Sequence, residues 1–240
     1  MGVSPRTKRP PEDWQPHDFA LFRTNVPHRT PEPPLAHYRP LGRWTEPSGF
    51  PSYRSGYSVS YWGPEQLSFL TLTEVNPSVR RIRARPETFE WFDGKRWLEH
   101  TPAFGVWTDH GCGLFDIESP AAHQSPMSQL RAKALARSLA RSGTSYRTVP
   151  RNELKIQPRL GNSKEVNSCS GLVFPDGEDS RVLMAAPAGG SDTVGGIAMR
   201  SRIPVGKAFA AILNLVWRGV LEIDMGTEFS HASMVRRPLP

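Results

Sequence analysis

Three acidic residues have a spacing that could hold a divalent metal ion. Asp116 and Glu118 lie two positions apart at the end of an apolar run, 113–117, that is typical of a β-strand. Because successive side chains of a strand point to opposite faces, these two carboxylates share one face. Glu65 lies early in a predicted helix, with Pro64 in its first turn. Carboxylates that converge at strand ends are what Mg²⁺-dependent DNA hydrolysis needs, so these acids form a candidate metal site.

Each acid also has an interpretation that involves no chemistry. Glu65 at a helix N-terminus interacts favourably with the helix dipole. Asp116 and Glu118 can be solvated charges at the end of a strand. His100 and His110 fit local turn hydrogen bonds better than metal ligation, since no second histidine has ligand spacing. The sequence alone leaves these interpretations open.

Basic residues provide a second type of candidate site. The chain has 30 Lys and Arg residues against 23 Asp and Glu, a formal net charge of +7. This balance favours a polyanionic partner such as DNA. Arg137 and Arg141 lie four positions apart and share one face of a predicted helix, where they could contact phosphates. A solvated helix surface explains the same pattern equally well.

The elements that must position these residues form a small mixed α/β domain. Apolar periodicity and turn signals predict helices at 64–74, 125–141, 193–199 and 204–217. Alternation and β-rich composition predict strands at 79–84, 88–92, 96–100, 103–108, 113–117, 145–149 and 220–223.

Composition divides the chain into four segments. Residues 1–55 are rich in proline and predict an extended arm, and 56–150 hold the α/β domain. Residues 151–190 contain turn clusters and predict a linker region, and 191–240 predict a winged-helix-like module. Distant Cys112 and Cys169 form neither a zinc site nor a disulfide framework, which favours a reducing cytoplasm. No apolar run is long enough to predict a membrane span.

Several weak motifs occur in an order that resembles the TnsA family, the endonuclease subunits of heteromeric transposases. That family typically shows a glutamate on the first helix, a Gln-Pro segment, His-Thr-Pro-Asp-Phe, and Glu/Gln-Val-Lys. The matching stretches here are Glu65, RPETFEW at 85–91, HTPAF at 100–104, DIE at 116–118, ILNLVWRGVLEID at 212–224 and FSHASMVRR at 229–237. The resemblance spans roughly residues 55–237.

The resemblance implies a fold, an activity and partners. The fold is a restriction-endonuclease-like core followed by a small C-terminal winged-helix-like module. Glu65 matches the first catalytic acid and Asp116 the leading position of the last motif, and these two would bind Mg²⁺. The implied activity is DNA cleavage at transposon ends, on the strand that the transposase does not cut. The implied partners are DNA, a transposase subunit and a regulatory ATPase subunit.

Three positions depart from the family pattern. Ala103 replaces the metal-binding aspartate, and Glu118 replaces the lysine that stabilises developing charge. Arg85 replaces the glutamine and partly restores positive charge. These departures predict weak or lost cleavage. A catalytically inactive DNA-binding or adaptor protein of the transposition complex is therefore the alternative, and a winged-helix transcription regulator is a weaker third hypothesis.

Overall fold

The computed structural model describes residues 47–92, 97–140 and 142–238. Within these ranges the chain has a mixed α/β fold. In chain order the elements are β1 (Ser48–Ser52), β2 (Tyr57–Tyr61), α1 (Gly63–Glu74), β3 (Val79–Ala84), β4 (Phe89–Phe92), β5 (Trp97–His100), β6 (Phe104–Thr108), β7 (Gly111–Glu118), α2 (Pro120–Gln124), α3 (Pro126–Ala140), β8 (Thr144–Pro150), a 3₁₀ turn (Arg151–Leu154), α4 (Arg159–Cys169), α5 (Glu178–Ala185), β9 (Ser191–Thr193), α6 (Val194–Ser201), α7 (Val205–Trp217), β10 (Glu222–Ile223) and β11 (Met234–Arg236).

The described residues divide into two compact units. The sheet unit consists of the described parts of Arg83–Val106 and Gly111–Pro150. The helical unit consists of 47–82, Trp107–His110 and 151–238.

A four-stranded sheet has the strand order β3-β6-β7-β8, and its strands β7 and β8 lie within the sheet unit. β7 and β8 run parallel, and α2 and α3 form the connection between them. Parallel neighbours need such a crossover, which a helix normally supplies. Gly143 follows α3 with a φ of 71°, a left-handed conformation that suits glycine at the end of a helix.

One apolar cluster holds α3 against β7 and β8. Leu135 and Leu139 of α3 are buried one helical turn apart, so they share the face that packs inward. They pack with Leu114 of β7 and Tyr146 of β8, which are paired in the parallel register, and with Phe89 of β4. This cluster lies directly beside the acidic end of β7.

The helical unit has its own core. Helix α7 packs against α4, α5 and α6, and α1 packs against α4 and the 3₁₀ turn. Strands β9, β11 and β10 form a three-stranded antiparallel sheet in that spatial order. The largest cluster of buried side chains here includes Val182, Ile197, Ile212, Leu215 and Val235.

The predicted mixed α/β class is confirmed, and every predicted helix and strand has a counterpart within a few residues. The segment 151–190 differs from the linker that its turn clusters predict, because it contains α4 and α5. Few of the α4 side chains are apolar, yet Leu160 and Val166 are buried, so the helix depends on tertiary packing.

The N-terminal boundary also differs from the prediction. Strand β1 lies within the predicted arm 1–55 and pairs antiparallel with β2. The remainder of that arm, 1–46, lies outside the described residues. In the described parts of the chain, none of the helices combines the length and the apolarity that crossing a bilayer requires.

Candidate functional site

Asp116 is the centre of a buried hydrogen-bond network in the sheet unit. It lies on β7 and is only 7% exposed. Its Oδ1 accepts a hydrogen bond from the backbone N–H of Ala103 at 2.9 Å. Its Oδ2 accepts from the hydroxyl of Tyr146 and lies 2.6 Å from Nε2 of His100. The carboxylate is thus surrounded by donors that belong to the protein itself.

These contacts shift the pKa values of Asp116 and Tyr146. Burial opposes ionisation of Asp116, but the hydrogen bond and charge of His100, together with the bonds from Tyr146 and Ala103, outweigh it. The pKa of the Asp116 carboxyl is therefore lowered. Burial, followed by the negative charge of Asp116, raises the pKa of the Tyr146 phenol. Tyr146 consequently stays protonated and keeps donating to Asp116.

Ala103 lies beside Asp116 but contributes only its backbone. Its N–H binds the carboxylate, while its carbonyl accepts a hydrogen bond from the backbone N–H of Arg85 at 2.9 Å. Arg85 adopts a φ of 46°, a left-handed conformation that is uncommon for a residue with a side chain. A strained backbone of this kind persists only where its surroundings hold it, and here it lies next to the site. Arg85 itself is partly exposed.

Glu118 lies on the same face of β7 as Asp116 and pairs with a different cation. Its Oε1 accepts from the guanidinium of Arg131, which projects from α3. The side chains of Glu118 and Arg131 are only 10% and 19% exposed. His123 Nδ1 lies 3.8 Å from Oε2 of Glu118 and 3.1 Å from Oγ1 of Thr148. Among the described residues, Oε2 of Glu118 is buried without a hydrogen-bond partner.

Glu65 belongs to the helical unit. It lies in the first turn of α1, as predicted, with Oε1 3.3 Å from Lys155 Nζ and 3.9 Å from Arg151 Nη1. Burial opposes its ionisation, but its own backbone N–H and the two basic side chains outweigh this and lower the pKa of Glu65. The predicted convergence of Glu65 with the acids of β7 stays a prediction.

Two arginines were predicted to contact phosphates, and the structure describes one of them. Arg137 lies on α3 and is exposed. Arg141 lies outside the described residues.

Three side chains make contacts at this site that were not predicted from the sequence. His100 was expected to satisfy turn bonds, whereas its imidazole contacts the Asp116 carboxylate. Tyr146 and Arg131 carried no signal, because neither belongs to a motif. Arg131 is one of several basic residues of α3, and its pairing with Glu118 depends on how α3 packs over β7.

The donor set as arranged does not fit Mg²⁺. This ion requires oxygen ligands in near-octahedral geometry. Ala103 offers no side-chain oxygen, Asp116 is bound by protein donors, and the Arg131 guanidinium occupies one oxygen of Glu118. Across 47–92, 97–140 and 142–238, no three His, Cys, Asp or Glu side chains are grouped so as to hold a metal ion. Mg²⁺ at Glu65 and Asp116 stays a prediction from the resemblance.

Comparison of the sequence with protein-family models gives no match, and comparison with curated proteins gives none either.

Proposed function

We propose that this chain is a catalytically inactive DNA-binding adaptor subunit of a TnsA-like transposition complex. The proposal rests on one observation: side chains and backbone of the protein itself bind both carboxylates of β7. Asp116 is bound by His100, Tyr146 and the Ala103 N–H, and Glu118 is bound by Arg131. A metal-dependent nuclease needs such carboxylates to be available for the ion that stabilises the transition state.

The architecture supports the two folds that the resemblance implies. The parallel pair β7 and β8, its helical crossover and the acids at the end of β7 support a restriction-endonuclease-like core for the sheet unit. The order α5-β9-α6-α7-β10-β11, with β11 between β9 and β10, supports a winged-helix module at the C-terminal end.

Surface chemistry supports the partners. The net charge of +7 and the exposed Lys133 and Arg137 on α3 favour contact with a DNA backbone. Met184 on α5 and Met199 on α6 are 78% and 77% exposed, which favours a protein contact at these helices. We assign that contact to the regulatory ATPase, because the C-terminal module of TnsA-like proteins contacts this partner. The transposase subunit remains the partner that performs the chemistry.

A nicking assay with the reconstituted complex tests the loss of cleavage. The chain, its transposase and its ATPase are incubated with labelled transposon-end duplex and Mg²⁺ or Mn²⁺. We expect bound DNA without strand cleavage attributable to this chain. We expect Ala103→Asp alone to leave cleavage absent, because Arg131 still neutralises Glu118. Nicking that disappears in both Glu65→Ala and Asp116→Ala variants would contradict the proposal.

Arg137→Gln is expected to weaken DNA binding without changing the fold. One lost phosphate contact should reduce the slope of log K against log salt concentration by about 1. The measurement is fluorescence anisotropy with a transposon-end duplex at several salt concentrations. Arg218→Gln is the charge-matched control; that side chain follows α7, outside α3, and pairs with Asp179 at 3.2 Å. Equal slopes for wild type and Arg137→Gln would exclude this residue from the DNA interface.

A further inference from the structure

The helical unit carries an arginine beside two aromatic rings at its surface. Arg81 of β3 is exposed, and its guanidinium lies 5.5 Å from the ring centre of Trp107. Its Nε lies 3.5 Å from the hydroxyl oxygen of Tyr57, which is 36% exposed. We propose that these three residues, the Arg81 cluster, bind unpaired bases of single-stranded DNA.

The fold holds the Arg81 cluster in place. The Tyr57 hydroxyl donates a hydrogen bond to the backbone carbonyl of Ile82 at 2.6 Å, which fixes the phenol ring beside β3. A guanidinium within about 6 Å of an indole ring centre is attracted by the ring, so Trp107 restricts the position of Arg81. An arginine that is positioned before its ligand arrives loses less conformational freedom on binding.

The charge of Arg81 is uncompensated, whereas that of its neighbour Arg80 is not. The Nε of Arg80 donates to Oδ1 of Asp109 at 2.7 Å, and its Nη1 donates to the carbonyl of Pro77 at 2.8 Å. Within the described residues, Arg81 contacts the two aromatic rings and forms no ion pair with an acid. Both arginines are exposed on one strand, so Arg80 provides an internal control.

Stacking chemistry favours a single strand as the ligand. In a duplex each base is covered by its stacked neighbours, whereas an unpaired base offers a face to aromatic rings and guanidinium planes. Proteins that bind single strands combine such stacking groups with positive charge along the backbone. Arg81 supplies both the planar group and the charge. Because Arg81 is exposed and Trp107 only partly so, the base contacts the guanidinium, and the indole supports it from the other side.

This inference rests on the proposed DNA-binding function and adds the form of DNA that the helical unit binds. Different ligands test the two ideas: a duplex tests the proposed function, and an oligothymidylate tests the Arg81 cluster. A chain that binds the duplex but no oligothymidylate would overturn only the inference. A chain that binds the oligothymidylate but no duplex would contradict only the proposed function.

The experiment measures the fluorescence anisotropy of a labelled oligothymidylate and of a labelled transposon-end duplex of equal length, both in EDTA. The full-length proteins are wild type, Arg81→Lys, Arg80→Lys and Trp107→Leu. Arg81→Lys keeps the charge and removes the planar guanidinium, and Arg80→Lys is the matched change at the adjacent position. Circular dichroism checks that each protein is folded. If Trp107→Leu is unfolded, the comparison of the two arginine variants decides the outcome.

We expect Arg81→Lys to bind the oligothymidylate about 5-fold more weakly than wild type, with its duplex affinity unchanged. Folded Trp107→Leu should show the same selective loss, and Arg80→Lys should show none. The inference is overturned if wild type does not bind the oligothymidylate, or if Arg81→Lys binds it as tightly as wild type. It is also overturned if Arg80→Lys causes an equal loss, or if Arg81→Lys weakens duplex binding to the same extent.

Discussion

Asp116→Asn is expected to lower the free energy of unfolding by about 3 kcal/mol. An asparagine amide has the same shape as the carboxylate, but its NH₂ group would face a donor, either the Ala103 N–H or the hydroxyl of Tyr146. The substitution would also remove the negative charge beside His100. Urea denaturation of the full chain measures the loss.

Asp109→Asn is the matched control for this variant. Asp109 pairs with Arg80 at 2.5 Å, but its side chain is 46% exposed. Exposed pairs of this kind contribute about 0–1 kcal/mol. Equal losses for the two variants would show that the burial and the three contacts of Asp116 add nothing to stability.

The contribution of Asp116 to the free energy of unfolding should depend on pH. Its pKa is lowered in the folded state, so its contribution is present above the ordinary carboxyl pKa and disappears as pH falls through the folded value. The stability gap between wild type and Asp116→Asn should therefore close in acid. A gap that persists unchanged down to about pH 2 would contradict this account.

Glu74→Ala is expected to produce a loss of similar size, about 3 kcal/mol, in the helical unit. Glu74 is fully buried at the end of α1. Its carboxylate accepts hydrogen bonds from Ser52 Oγ at 2.7 Å and from the Arg54 N–H at 2.9 Å. Alanine would leave the Arg54 N–H unsatisfied and would leave the Ser52 hydroxyl only Ser55 Oγ, at 2.9 Å, as an acceptor. It would also remove the counter-charge of the half-buried Arg54, whose guanidinium lies 4.2 Å from the ring centre of Trp217.

Glu74→Gln separates hydrogen bonding from charge at this position. The amide carbonyl can still accept from the backbone of Arg54, so we expect a loss below about 1 kcal/mol. Burial raises the pKa of Glu74 despite its bonds to Arg54 and Ser52, so ionising this carboxyl costs more in the folded state than in water. A loss as large as that of Glu74→Ala would show instead that the charge is required.

The pH dependence at Glu74 has the opposite sign to that at Asp116. A raised pKa means that the folded state binds its proton more tightly, so this contribution is present at low pH and declines as pH rises through the folded value. Relative to wild type, Glu74→Gln should therefore become more favourable as pH rises above the ordinary carboxyl pKa. Urea denaturation at several pH values measures this trend.

Local patterns predicted most of the secondary structure. The alternation of Val79, Ile82 and Ala84 with arginines predicted a strand, and β3 occupies that position. The spacing of Ile212, Leu213 and their neighbours predicted α7. Such elements are predictable because apolar periodicity follows directly from strand and helix geometry. Helix α4 was missed because polar residues dominate it, and only packing against α1 and α7 explains it.

The sequence by itself determined the order of the elements, the placement of Asp116 and Glu118 on one face of β7, and the absence of a ligand at position 103. Only the tertiary structure decided what binds those acids. Tyr146 reaches Asp116 because β8 lies parallel to β7 in one register, and Arg131 reaches Glu118 because α3 packs over that strand. Both contacts join residues far apart in the chain, and no short-range pattern encodes the packing that brings them together.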